Sequence, residues 1–277
     1  MTTATKPRRR MGLSDTLRHT AIMTQRNNMR LLRIPSLILF STVQPVMFLL
    51  LFNYVFGGAI TTGTPAGADQ YINWLIPGIL VQTAVFGATA TALGLTEDLG
   101  AGVIDRFRSL PMARSAVLAG RTLADLVRNS FVNSLMLVVG FLMGWRFEQG
   151  FPKMILGLSL ALLFGYSFSW VMATIGLAVK TPEAAQSAGF LPIFPLVFLS
   201  SVFVPVASMP EWLQGFAENQ PVSVIANTVR SLMIPEEALL PLGLDQGTLI
   251  WQSVAWITVI FAVFAPLAVR QYKKAVG

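Results

Sequence analysis

The chain has 277 residues, 54% apolar and only 12% charged, with a mean hydropathy of +0.63; a soluble chain carries roughly 25% charge. A surface this poor in charge is expected to face lipid rather than water. The lack of cysteine and the single histidine, His19, exclude disulfides, thiolate zinc sites, iron–sulfur clusters and cysteine nucleophiles.

Residues 1–34 are polar and basic. Leu13, Leu17 and Ala21 recur at helical spacing with arginines on the other faces, which predicts an amphipathic helix lying on the cytoplasmic leaflet. For residues 1–12 a disordered basic tail is the alternative. So long a polar lead, before a span too long for a signal core, predicts no cleavable signal peptide.

Six segments without Asp, Glu, Lys, Arg or His follow, at 35–56, 74–95, 129–145, 154–179, 187–206 and 249–269. About 20 helical residues cross the ~30 Å hydrocarbon layer. The third run is short and reaches back to 126 if Arg128 snorkels to the interface. The pattern predicts an all-α integral membrane protein, with one domain of six transmembrane helices over 35–269 and a short tail over 270–277. Lys and Arg set the orientation. With both termini cytoplasmic, 17 of the 20 basic residues lie inside, and only Arg146, Lys153 and Arg230 lie outside. The excess charge of +7 is thereby a topology signal and needs no nucleic acid to explain it. A multi-pass protein of a bacterial plasma membrane is expected.

Within the spans only neutral polar groups lie deep. Gln44, Asn53, Asn133 and Ser200 are the candidate translocation-path residues, with Gln82 beside them. The acids Glu97, Asp98 and Asp125, like Arg114 and Arg121, are expected at the cytoplasmic edge. Carriers driven by ions usually hold an ionisable group at depth, so this argues against one. Ala84, Ala88 and Ala92 form a small-residue stripe suited to helix packing or a subunit interface. Phe164, Tyr166, Phe168 and Trp170 suit lipid or core packing, with a substrate surface as the alternative. Pro192, Pro195 and Pro205 predict bends in the fifth span.

The external segment 207–248 reads as two short re-entrant or interfacial helices. Ser208 is the expected N-cap of the first, and Asn219-Gln220-Pro221 breaks the pair before 222–233. Pro210, Trp212, Asn219 and Pro221 are the candidate external gate; a simple stabilising lid is the alternative. Nothing in the sequence provides a nucleophile elbow, a metal motif or a phosphate loop. Lys180-Thr181 is preceded by Val179 where a Walker loop needs glycine. The chain is expected to catalyse nothing and to bind no cofactor or metal itself.

The cytoplasmic segment 96–125 opens with Glu97 and Asp98. A short amphipathic stretch follows, with Ile104 and Phe107 apolar among Asp105, Arg106 and Arg108, after Gly102 and before Pro111. An aromatic among charges suits docking into a partner's groove; a helix resting on lipid head groups is the bland alternative. The run Asp105-Arg106-Phe107-Arg108-Ser109-Leu110-Pro111-Met112-Ala113-Arg114 and then Leu118-Ala119-Gly120-Arg121 resembles the permeases of ABC-2 type (ABCG-like) exporters, within them the daunorubicin- and doxorubicin-resistance group. Phe203-Val204-Pro205, Met209-Pro210-Glu211-Trp212, Asn219-Gln220-Pro221 and Arg230 resemble it too. Asp105, Phe107 and the Gln inserted in Asn-Gln-Pro depart from the commoner family pattern. The resemblance implies that Glu97, Asp98, Gly102, Ile104, Asp105, Arg106, Phe107, Arg108 and Pro111 dock a separate nucleotide-binding ATPase. It also implies two ATPase copies carrying ATP and Mg, and a second permease half, identical or not. Export of an amphipathic or lipophilic cargo is then the leading expectation. Export of a lipid-linked glycan, an ion-coupled carrier and a non-transporting membrane scaffold are the alternatives.

Overall fold

The computed structural model describes residues 13–57, 71–101, 114–235 and 245–276. Among these residues every regular element is helical: α1 (Leu13–Arg33), α2 (Pro35–Leu50) running into a π turn (Leu51–Phe56), α3 (Tyr71–Gly87), α4 (Thr89–Gly100), α5 (Arg114–Leu142), α6 (Phe151–Ala178), α7 (Pro182–Phe198), a 3-10 turn (Val206–Ser208), α8 (Glu211–Asn219), α9 (Pro221–Met233) and α10 (Gln246–Val276). Among the described residues five stretches are long and apolar enough to cross a membrane: Ile38–Phe56, Tyr71–Gly100, Ser115–Leu142, Phe151–Ala178 and Gln246–Lys274. Lipid leaves only helices and closed barrels able to satisfy every backbone group, and this chain takes the helical solution.

The fifth expected span takes a different form. α7 is 17 residues long and stops at Phe198, not at 206. Pro192 and Pro195 lie inside it and remove two amide donors. Leu199 closes the end by donating to the Pro195 carbonyl at 2.9 Å. The segment expected to be external follows. Ser208 does not cap α8 as expected: its hydroxyl turns back to the Pro205 carbonyl, 2.7 Å away, and Pro210 holds the cap position. The second short helix, α9, is buried from Val222 to Met233. Gln220 caps it, its side-chain oxygen accepting from the Val222 amide at 2.9 Å. α10 starts on a similar device, since Asp245 accepts from both the amide and the hydroxyl of Thr248.

α6 is the central post, packed against α3, α4, α5, α9 and α10. Small residues permit that approach. Ala84, Ala88 and Ala92 are fully buried, and a Cβ at Gly176 would lie 2.6 Å from the Ala92 carbonyl oxygen. The stripe thus serves packing within the chain. Phe164 and Phe168 are buried in the main core and Trp170 in a second cluster, where Tyr166 and Trp170 meet Phe261 of α10. α1 lies across the start of α5, where Gly120 accommodates Met23.

Candidate functional site

Of the residues expected to dock a partner, Gly102, Ile104, Asp105, Arg106, Phe107, Arg108 and Pro111 lie outside the described residues. Glu97 and Asp98 close α4. Asp98 faces Arg26 of α1 at 3.7 Å, which ties the amphipathic helix to the C-terminal end of α4.

That span is two helices, and the break between them is the centre of the site. At Ala88 the chain tightens: the Ala88 amide bonds the Val85 carbonyl and the Thr91 amide bonds the Ala88 carbonyl, each three residues back. The carbonyls of Ala84 and Gly87 therefore lose their usual partners four residues ahead. A freed carbonyl at membrane depth must find another donor. Both donors come from α5. Asn129 Nδ2 donates to the Ala84 carbonyl at 3.3 Å, and Arg128 Nη2 donates to that of Gly87. One turn further, Arg121 Nη2 donates to Ala90 O at 2.9 Å.

Asp125 stands between the two arginines. Its Oδ1 lies 3.4 Å from Arg128 Nη2, its Oδ2 3.7 Å from Arg121 Nε, and the Thr91 hydroxyl donates to it. This arrangement corrects one expectation: Arg128 does not reach outward as a snorkelling side chain would, being 11% exposed and turned onto the Gly87 carbonyl. Arg121 and Asp125, at 14% and 5%, face the neighbouring helices, so α5 carries charge inside the bundle. Arg121, Asp125 and Arg128 fall at i, i+4 and i+7, one face of a helix. Gly87 and Gly94 make the facing strip of the antiparallel partner. A side chain at Gly94 would overlap the Arg121 guanidinium, and one at Gly87 would overlap the Asn129 amide.

Beside the break lies a cavity of about 140 Å³, between α2, the α3–α4 joint and α5. Gln44, Gln82, Thr83, Phe86, Arg128 and Asn129 are among its walls. Of the candidate path residues only Gln44 is there. Asn133, one turn beyond Asn129, donates to the Asn129 carbonyl at 3.0 Å. Asn53 sits in the π turn of α2, and Ser200 is buried in the turn after α7, its hydroxyl on the Val197 carbonyl. The four do not converge.

From Phe86 an aromatic ladder climbs the groove between α2, α3 and α7. Phe86 meets Phe190 and Phe194, and Phe194 stacks on Phe198 at 5.5 Å. Phe198 reaches Phe203, which stacks on Phe52 of the π turn with ring centres 4.0 Å apart. Phe194 and Phe198 remain 46% and 37% exposed, an apolar surface open to the membrane side. Phe190, Phe194 and Phe198 recur at every fourth residue, a helical spacing that the sequence carries in plain sight.

The ladder ends at a buried plug. Arg230 of α9 is fully buried, and its guanidinium ties three segments together. Nε donates to the Trp74 carbonyl at 2.9 Å, Nη2 to the carbonyls of Ser201 and Val202 at 2.6 and 2.9 Å, and Nη1 to Asn227 Oδ1 at 2.8 Å. Tyr71 adds a bond to the Phe203 carbonyl at 2.7 Å. The N-terminal end of α3, the turn after α7 and α9 are thereby held as one unit. Trp212, by contrast, is 82% exposed on α8, and Pro210 and Asn219 are exposed with it. Pro221 opens α9 in its first turn.

The model of the family described as ABC-2 type transporter matches residues 18–234. The chain is similar to the daunorubicin resistance ABC transporter permease protein DrrB1 of Streptomyces coeruleorubidus, 32% identical over 269 residues, which are 97% of this chain and 89% of that one. It is 28% identical over 233 residues to the probable doxorubicin resistance ABC transporter permease protein DrrC of Mycobacterium tuberculosis, covering 84% of this chain and 80% of that one. The putative transport permease ycf38 of Cyanophora paradoxa is 22% identical over 254 residues, 91% of this chain and 87% of that one. An all-helical multi-pass bundle, a family match over most of its length and a relative similar from end to end make this chain a member of the ABC-2 type transporter family, a transport permease related to those of drug-resistance exporters.

Proposed function

We propose that the chain is the membrane half of an ATP-driven exporter that moves an amphipathic or lipophilic cargo out of a bacterial cytoplasm. The likeness to DrrB1 over 97% of the chain carries this reading. The exposed phenylalanine surface of α7, rising from a polar cavity, supports it, because such a surface suits a cargo with an apolar body and a polar head. Energy comes from a separate ATPase subunit in two copies, working with a second permease half, and ATP and Mg bind there. Segment 97–111 is the docking element: Ile104 and Phe107 anchor it, and Asp105, Arg106 and Arg108 set its register by charge. The six-crossing topology with both termini cytoplasmic follows the lysine and arginine bias. In it α7 with the turn after it makes the fifth crossing, and Pro210, Trp212, Asn219 and Pro221 belong to the outer gate.

The test is affinity purification of the tagged chain from its host in mild detergent, with mass spectrometry and an ATPase assay. A stoichiometric Walker-motif subunit is expected, and Phe107→Ala with Arg106→Ala weakens its retention without loss of membrane insertion. Absence of that subunit across several detergents overturns the exporter reading. Unchanged retention by the double variant overturns the docking assignment alone. For topology, a cysteine placed at Thr62 is expected to label from outside intact cells and one at Ser109 is not; the reverse pattern inverts the orientation.

A further inference from the structure

The cavity beside the helix break is polar where packing alone would make it apolar. Gln82 and Thr83, 1% and 6% exposed, line it, yet Gln82 Oε1 and Thr83 Oγ1 find no hydrogen-bond partner. Arg128 Nε is likewise unpartnered, although the same guanidinium binds the Gly87 carbonyl through Nη2. A buried polar group left unmade costs about 1–3 kcal/mol, and three around one cavity point to a missing occupant. At a water's share of ~30 Å³ the space holds about five heavy atoms. That is the size of a phosphate or carboxylate group and too small for a whole drug-like molecule.

The charge selects among small groups. Arg128 is the one charged residue on the wall, and Asp125 meets it through Oδ1 without itself lining the cavity. An ammonium is repelled there, and an anion is attracted. The Thr83 hydroxyl and the Gln82 amide can each donate to an oxyanion, the amide after a flip. Ser41, Gln44 and Pro45 of α2 line it, and Phe40, Val43 and Met47 of the same helix are exposed. An apolar tail would lie against that helix.

We propose that this cavity is a binding site for the anionic head, phosphate or carboxylate, of a single-tailed or double-tailed amphiphile. Arg128 neutralises the head, Gln82 and Thr83 hydrogen-bond it, and the tail lies against α2. The site rests on this geometry and not on an ATPase partner.

The experiment uses the full chain in a neutral maltoside detergent, without partner, and measures binding of dodecyl phosphate, dodecylphosphocholine and phosphatidylglycerol by native mass spectrometry. Dodecyl phosphate is expected to bind at least about tenfold more tightly than dodecylphosphocholine, the equivalent of ~1.4 kcal/mol. Thr83→Val and Gln82→Leu are each expected to weaken it several-fold without lowering the thermal unfolding temperature of the chain. Arg128→Gln is expected to abolish it, and since that change also releases the Gly87 carbonyl, the two neutral variants are the decisive ones. If phosphatidylglycerol binds with the same sensitivity to these variants, the head comes from a bilayer lipid. If dodecyl phosphate alone does, it belongs to a carried amphiphile. Equal affinity for the two dodecyl probes, or dodecyl phosphate binding indifferent to Thr83→Val and Gln82→Leu, overturns the proposal. Neither outcome touches the exporter reading, which turns on co-purification of the ATPase.

Discussion

The Arg230 guanidinium carbon lies 3.9 Å from the centre of the Trp74 ring while Nε of the same group donates to the Trp74 carbonyl. One residue thus holds its neighbour by side chain and backbone together. Arg230→Ala leaves the carbonyls of Trp74, Ser201 and Val202 without that donor, and each buried acceptor left unsatisfied costs about 1–3 kcal/mol. A large loss of folded, monodisperse protein in a detergent thermal ramp is expected. Arg230→Lys is expected to recover little of it, because an ammonium cannot span three segments with a planar fork.

Gly94→Leu is expected to destabilise by about 1–3 kcal/mol, the usual cost of overpacking, because any side chain there displaces Arg121 from the Ala90 carbonyl. Gly100→Leu is the control, since nothing lies within 4 Å of a Cβ at that position. Equal effects of the two in denaturant titration would show that the close fit of Arg121 over Gly94 adds nothing to stability.

Thr91→Val keeps the shape and deletes the hydroxyl that donates to Asp125. A hydrogen bond to a charged group is worth about 1.5–3 kcal/mol. The expected readout is faster amide exchange around the α3–α4 joint, confined to residues 84–92 and the facing turn of α5. No change there would mean that the two arginines alone hold the carboxylate.

Asp245 offers a pH test. Hydrogen bonds from the amide and then the hydroxyl of Thr248 hold its carboxyl below the ordinary value of 3.8. A depressed carboxyl contributes its cap above the ordinary value and loses it as pH falls through the lower, folded one. Exchange protection of the first turn of α10 is therefore expected to stay level from neutral pH to about 4 and to drop only below that. Asp245→Asn is expected to flatten the profile.

Much of the scaffold was legible because lipid makes a simple demand. Runs of some 20 uncharged residues marked where long helices run, and the Asn219-Gln220-Pro221 break placed α9. The break at Ala88 was not legible. It has no proline, and the groups that stabilise it, Arg128 and Asn129, come from about 40 residues further along the chain. Arg121, Asp125 and Arg128 were visible as charges, but their burial depends on Gly87 and Gly94 leaving room on another helix. A span counted by its lack of charge excludes by construction the residues that hold it. Gln44 was singled out as a deep polar group and lines the cavity; Asn133, equally deep, spends its amide on a neighbouring carbonyl.

The second span is in mechanical terms a jointed rod, clamped near its middle. From Glu97 near the end of α4 to Trp74 at the plug is 23 residues, about 35 Å of helix. Arg128 and Asn129 grip the joint between those ends. A push delivered at Glu97 cannot travel to the plug as the shift of one rigid piece. It must swing α4 about the clamp, or else strip two hydrogen bonds from α5 before Trp74 feels it.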